Sequence, residues 1–441
     1  MVRPTWVTPP PPGRGRVLHV NATATGGGVA ELLHGLVPAQ AAAGIATGWA
    51  VIAGDHDFFR TTKNLHHLLH GTGDAGALDA RAVAHYRAVL APQARWLAGQ
   101  VGPGDLVALH DPQTLGLAPA LAAAGARVIW HCHIGTTRSG VDGPALVWDT
   151  FAADLAALEG VVTTLPEFAP PSVAAHVVPP AVDPDGPKNR PLSPDAVEAT
   201  LAATGLVGAH PAPDAVATVE QDRPLPPGAR VVAQVARWDP LKDMTGVVRL
   251  VPDLPDDVHL VLAGVDPTEI PDDPEGLRVL DEVRAERDAM RGPDRDRVHL
   301  LLTSLRDETR AALLINAVQR RADVVVHKSL EEGFGLAVTE AMVKRRAVVA
   351  GDVGGIRRQI DHGRTGLLVD PTDRSAVLAA LRHLLAEPQL RRRLGAAAAD
   401  VVAERFTMAR LVRDYRTIVD RRTSRPAGTP LVATPTAEEA R

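Results

Sequence analysis

One cysteine, Cys132, in 441 residues leaves no disulfide framework and no thiolate zinc site to consider. So little thiol is compatible with a reducing compartment. No apolar segment is long and uninterrupted enough to span a bilayer. The start of the chain, with Pro9 to Pro12, lacks the apolar core of a signal peptide. The expectation is a soluble, cytoplasmic protein. Excess basic charge is missing too. The formal net charge is −5 and no basic run is dense, so nothing speaks for nucleic acid or an anionic membrane. Two phosphate-binding signatures are absent. In Gly26-Gly27-Gly28-Val29-Ala30-Glu31, Glu31 stands where a dinucleotide fingerprint needs its third glycine, and no Gly-Lys-Ser/Thr follows. There is no solenoid-type repeat.

What the chain does have is length and a 45% hydrophobic composition, enough for two cores and two or three domains. Residues 1–13 are predicted as a disordered Pro-rich tail. Strand signals at 16–20, 49–53, 105–109, 127–130, 160–164 and 176–178 alternate with helical stretches, which predicts a parallel, doubly wound sheet over residues 14–184. The first helix should stop near Gly44. Three prolines in 178–184 mark an interdomain linker, and 183–229 reads as a linker region. A second βα series covers 230–422, with strands at 230–235, 258–262, 298–302, 322–326, 347–350 and 366–369. Helices at 375–385 and 389–419 follow, broken at Pro388. Residues 423–441 read as a flexible tail. The fold class is α/β.

The chemistry-bearing residues lie where predicted strands end. Lys328 to Met342 holds two carboxylates, Glu332 and Glu340, on either side of Gly333-Phe334-Gly335. The preceding apolar run reads as a buried strand and Thr339 to Lys344 as a helix start. Open α/β sheets bind ligands at such strand ends. The glycines let backbone approach a ligand, helix-start amides receive anionic oxygens, and Glu340 is suited to the paired hydroxyls of a ribose. After the second domain's first strand come Arg237 and Lys242, two cations suited to a diphosphate leaving group. They would stabilise charge that grows as a sugar–phosphate bond breaks. The Gly26-Gly27-Gly28 loop either presents amides to phosphate or is a tight turn. Alternation puts His131 and His133 on one face of a strand and Cys132 on the other. No third ligand is implied, so no metal is expected. One of these histidines either touches a reacting sugar or is structural.

The Glu-x7-Glu segment resembles the signature of retaining nucleotide-sugar glycosyltransferases of the GT-B architecture, in which two doubly wound Rossmann-like domains face each other across a cleft. From about Arg16 to about Ile418 the chain resembles, more narrowly, the trehalose synthase group of glycosyltransferase family 4. The matching stretches are Gly26 to Leu33, Gly54-Asp55 with Phe58-Phe59, Thr62-Lys63 with His66, Asp111-Pro112-Gln113, His131 to Ile134, Pro179 to Pro184, Asn316 to Arg320, Lys328 to Lys344, and Gly351 to Ile356.

The resemblance implies a retaining, metal-independent hexosyltransferase that moves glucose from UDP-glucose or ADP-glucose to glucose, with no cofactor. Arg237 and Lys242 would bind the diphosphate and Glu340 the ribose. Glu332 with the backbone of Gly333, Phe334, Gly335 and Leu336 would hold the donor sugar. His133 would contact it near the reacting carbon, and Gly27 and Gly28 would close on it. Lys63, Asp111 and Gln113 are acceptor-side candidates. The catalytic set is then His133, Glu332, Arg237 and Lys242, with a small-molecule donor and acceptor as partners; a homodimer stays open beside a monomer. The sequence departs from the group on the acceptor side. Gly135 stands where the group carries Asp, and His67 and His70 replace its Asn and Gln. Three alternatives remain: a trehalose phosphorylase, a glucosyltransferase with another small acceptor, and a non-catalytic nucleotide-sugar sensor.

Overall fold

The computed structural model describes residues 3–208, 211–212, 215–270 and 274–420. Two seven-stranded sheets organise them. The first contains β1 (Thr5–Thr8), β2 (Val17–Asn21), β3 (Thr47–Val51), β4 (Leu106–His110), β5 (Arg127–His131), β6 (Gly160–Thr163) and β7 (Ala175–Val177), in the order β1-β3-β2-β4-β5-β6-β7. The second contains β8 (Ala217–Glu220), β9 (Arg230–Val235), β10 (Val258–Val265), β11 (Val298–Thr303), β12 (Val324–His327), β13 (Ala347–Gly351) and β14 (Leu367–Val369), in the order β14-β13-β12-β9-β10-β11-β8. The edge strands β1 and β8 are antiparallel to their neighbours and the other pairings are parallel.

The doubly wound pattern is therefore present twice. Strand order reverses between β2 and β4 in the first sheet and between β9 and β12 in the second. At a reversal the crossover helices leave in opposite directions, and a crevice opens at the carboxyl ends of the strands. The strands are buried on both faces, as their continuous apolar sequences require. The first helix, Gly28–Ala42, ends as expected, with Gly44 at φ +79°.

Four expectations need correction. Residues 5–8 are ordered as β1, with Trp6 packed on Trp96 at 5.6 Å between ring centroids. The four prolines follow the strand instead of interrupting it, and an edge strand needs hydrogen bonds on one side only. The 183–229 region is not a plain linker. It contains the helix Pro194–Ala202, capped by Ser193, and β8, which covers the edge of the second sheet. The long C-terminal helix expected over 389–419 is two, Pro388–Arg405 and Met408–Asp420. Pro388 opens the first of them, where its missing N–H costs nothing, and the extra break falls where Phe406 turns in against Phe334. The tail expected at 423–441 lies outside the described residues.

The last helix, Met408–Asp420, was assigned to the second domain by sequence order, but it packs on the first. Leu411, Val412, Tyr415 and Ile418 share a core with Val17, Leu33, Leu36 and Trp49. Arg127 donates to the carbonyl of Val419 at 2.7 Å. Tyr415 Oη lies 2.5 Å from Nδ1 of His131. The chain end thus straps the two domains together. No helix among the described residues is long and apolar enough to cross a membrane.

Tyr415 is fully buried in this strap. Tyr415→Ala should cost about 3–5 kcal/mol, the usual penalty for emptying a large core site, and Tyr415→Phe only about 1 kcal/mol for the hydrogen bond. Urea midpoints measure both. A near-wild-type midpoint for Tyr415→Ala would show that the strap adds nothing to stability.

Candidate active site

Loops that leave the carboxyl ends of the two sheets meet. A Cβ on Gly333 would lie 2.0 Å from the carbonyl oxygen of His133. No larger residue fits while the domains sit this close. Glu331 accepts from Thr136 Oγ1 at 3.1 Å across the same seam. Gly28 faces the Leu336 side chain, where a Cβ would stand at 3.4 Å. The Gly26-to-Gly28 loop, His133 and the 333–336 backbone therefore converge. The helix of the Glu-x7-Glu segment starts earlier than expected, at Leu336, directly after Gly335 at φ +88°. Gln359 secures the turn by donating to the carbonyl of Phe334 and accepting from Thr339.

Lys242 and Glu332, seven and five residues beyond the ends of β9 and β12, form an ion pair of 2.6 Å. His327 Nε2 stands 3.0 Å from the same carboxylate oxygen. Burial opposes ionisation of Glu332, but the Lys242 charge and His327 outweigh it and hold the carboxyl well below the usual range. Arg237 is half exposed and pairs with Asp239 at 3.0 Å. Gln234, within β9, was not singled out from sequence, yet it ties the two loops together. Its amide nitrogen donates to the carbonyl of Lys242 at 2.7 Å and its oxygen accepts from the Lys328 amide at 2.9 Å. Only its place in a strand with an otherwise apolar run marks it. Lys328 in turn pairs with Asp243, a helix cap at φ +46°.

Glu340 is buried, and Lys188 bridges it to Glu31, 2.8 Å from each. Burial disfavours the Glu340 charge, while Lys188 and Lys344 lower its pKa overall; Glu31 is raised, chiefly by burial. Glu31 therefore has a partner in the opposite domain, which a missing third glycine does not announce. On the acceptor side, Asp111 sits at φ +59° and accepts from the backbone N–H of His133 at 2.8 Å. Burial pushes its pKa up to about 7. Lys63 reaches across the cleft to Glu275, 3.2 Å away, and His67 contacts the same oxygen at 3.2 Å. His70 bonds the carbonyl of Gly135 through Nδ1 at 3.0 Å. A Cβ at Gly135 would lie 2.1 Å from the Phe168 ring. Two departures from the group pattern thus form one local packing unit.

The sequence implied no third histidine beside His131 and His133. The structure supplies His110, from the end of β4. One ring nitrogen from each of the three lies within 4.8 Å of the others. His110 is also bonded to His19 of β2 at 3.0 Å. Parallel pairing of β2, β4 and β5 is what assembles them.

Three buried oxygens around the cleft have no hydrogen-bond partner among the described residues: Gln113 Oε1, Glu331 Oε1 and Glu340 Oε2. All three are acceptors, so the cleft calls for a ligand rich in O–H donors.

Comparison with known proteins bears on the family and the fold. Residues 19–170 match the family model "Trehalose synthase, N-terminal domain" and residues 217–401 match "Glycosyl transferases group 1". A trehalose synthase of Rubrobacter xylanophilus is 36% identical over 412 residues, covering 90% of this chain and 88% of that protein. A trehalose phosphorylase of Pleurotus pulmonarius is 27% identical over 85% of this chain and 52% of its own length. Among solved structures, the trehalose-6-phosphate synthase OtsA superposes with a TM-score of 0.70 at 16% identity, covering 92% of this chain and 99% of that one. The fold is accordingly of the GT-B type.

A carboxyl whose pKa is raised in the fold adds stability below its unfolded value, about 4 for Asp, and that contribution is lost as pH rises through the folded value, here about 7. Asp111→Asn keeps an oxygen for the His133 amide and cannot ionise. Its stability should gain on the wild type as pH climbs from about 4 to 8. Parallel curves of stability against pH would show that Asp111 ionises as readily folded as unfolded.

Proposed function

This chain belongs to the trehalose synthase family, and we propose that it is a retaining hexosyltransferase that moves glucose from UDP-glucose or ADP-glucose to glucose, making trehalose. The observation that carries the reading is the buried Lys242–Glu332 pair, together with three buried acceptors, on Gln113, Glu331 and Glu340, that have no partner among the described residues. Sugar and ribose hydroxyls can donate to such acceptors.

In this mechanism Arg237 and Lys242 take the diphosphate and stabilise the charge that develops on it. They fill the role a metal ion plays elsewhere, so the reading is metal-independent. Lys242 already holds Glu332, so the incoming phosphate shares that lysine while Glu332 turns to the donor sugar. Glu340 accepts from the ribose, and His133 contacts the sugar near its reacting carbon. The bond from that carbon to the leaving phosphate oxygen breaks as a bond to the acceptor oxygen forms on the same face. The acceptor proton passes to the departing phosphate oxygen. No side chain is assigned as general base, and Glu332 and Glu340 are not a hydrolase pair.

One observation favours a second reading, a phosphorylase that uses glucose 1-phosphate. Lys188 already occupies Glu340, and a donor without ribose leaves that bridge intact. Incubation with glucose and UDP-, ADP- or GDP-glucose, with NMR of the products, separates the two. An α,α-1,1 disaccharide with released nucleotide supports the synthase. Glucose 1-phosphate from trehalose and inorganic phosphate, indifferent to nucleotide, supports the phosphorylase. Neither product in any arm defeats both.

Lys242→Ala should lower kcat by roughly 100-fold or more, the scale of losing one preorganised charge stabiliser. Steady-state rates at saturating donor measure it. A wild-type kcat would remove Lys242 from the leaving-group site.

A further inference from the structure

Four side chains, three of them buried and His133 half-buried, lie in a line behind the cleft. His133 Nε2 is 3.0 Å from His110 Nδ1. His110 Nε2 is 3.0 Å from His19 Nδ1, and His19 Nε2 is 2.9 Å from the Gln40 amide. His19, His110 and Gln40 are essentially inaccessible to solvent. Burial lowers the pKa of His19 to about 4 and of His133 to about 3, and holds His110 well below its usual value. The rings are therefore neutral near pH 7, and each carries one N–H. A contact between two neutral imidazoles holds one hydrogen. Once one ring's tautomer is set, its neighbours follow, and the line runs one way or the other.

Gln40 sets the direction. With its oxygen toward His19, the amide nitrogen is buried without a partner. The same oxygen then faces Thr47 Oγ1 at 3.2 Å, although that hydroxyl's single hydrogen also serves the carbonyl of Ile45 at 3.0 Å. Turning the amide end for end moves no other atom and uses every donor. The nitrogen then donates to His19 Nε2 and to Thr47 Oγ1, and Thr47 donates to Ile45. A carbonyl oxygen takes the partnerless position, a less costly orphan than an N–H.

We infer that Gln40, His19 and His110 form a one-way hydrogen-bond relay that fixes His133 as the Nδ1–H tautomer, so that His133 meets the donor sugar as a hydrogen-bond donor. The inference rests on the reading of His133 as a sugar contact. Hydrogen bonds run from Gln40 to His19, from His19 Nδ1–H to His110 Nε2, and from His110 Nδ1–H to His133 Nε2. That leaves Nδ1–H of His133 at the open end. Gln40, His19 and His110 touch no substrate and are positioning residues. The sugar oxygen that accepts from His133 keeps its own hydrogen for one of the unpartnered acceptors, such as Gln113 Oε1.

Nitrogen-15 NMR of histidine-labelled protein, with His133 assigned through His133→Asn, reads the tautomer without substrate. Protonated Nδ1 and bare Nε2 are expected. The reverse pattern overturns the relay whether or not trehalose is made, while a failed synthase assay leaves this readout intact. His110→Leu should mix the tautomers of His133 and lower kcat/KM for the donor about tenfold, the scale of one hydrogen bond, with the acceptor KM unchanged. His110→Gln offers an amide donor and acceptor in the same place and should restore both. A fixed tautomer and full activity in His110→Leu would overturn the proposal. So would one-to-one Zn2+ uptake by the wild type that His110→Leu abolishes, because His110, His131 and His133 would then be a metal centre.

Discussion

The carbonyl of His133 and the backbone of Gly333 touch because residue 333 has no Cβ. This contact brings the two sheets as close as their backbones allow, and Thr136–Glu331, Lys63–Glu275 and the Lys188 bridge join them at the same seam. Each sheet opens a crevice where its strand order reverses; the loop after β2 carries Gly26 to Gly28, His133 follows the neighbouring β5, and Lys242, Glu332 and Glu340 follow β9 and β12. If the seam widened by the size of a methyl group, the two sets of groups would no longer address one small molecule. The strap helix Met408–Asp420, anchored on the first domain, holds the same spacing from behind.

Charge in this cleft is arranged in pairs that a ligand can take over. Lys242 holds Glu332, Lys188 holds both Glu31 and Glu340, and Lys63 holds Glu275. Buried ions left single are costly, so each is kept with a partner. Two of these contacts, Lys63–Glu275 and the Glu31–Lys188–Glu340 bridge, join elements from the two halves of the chain. Ligand exchange and domain separation are therefore coupled through the same side chains. The oxygens of Gln113, Glu331 and Glu340 without a partner among the described residues are acceptors, to which hydroxyl groups can donate.

Much of this was legible in the primary structure. The alternation of apolar runs with helical stretches placed both parallel sheets, because strands buried on two faces must be continuously apolar. The Glu-x7-Glu segment, Arg237, Lys242 and the triple glycine stand at strand ends, and strand ends at a reversal are where α/β sheets bind ligands. Asp111 and Gln113 could be picked out by likeness to a family. The strand Thr5–Thr8 was misread because proline counts against a strand only where both edges are paired. The C-terminal helix was misassigned because order along the chain says nothing about which core an amphipathic face will join.

By itself, then, the sequence determined the local elements, the two-sheet class and the chemical character of the loops, since these follow from residue pattern within a few turns of chain. Tertiary structure alone decided the partnerships. His19, His110 and His133 are separated by up to 114 residues' worth of numbering yet form one hydrogen-bonded line, and Gln234, Glu31 and Lys188 acquire roles from neighbours far along the chain. Hydrogen bonds and ion pairs act over about 3 Å, and only folding brings such distant residues within that reach.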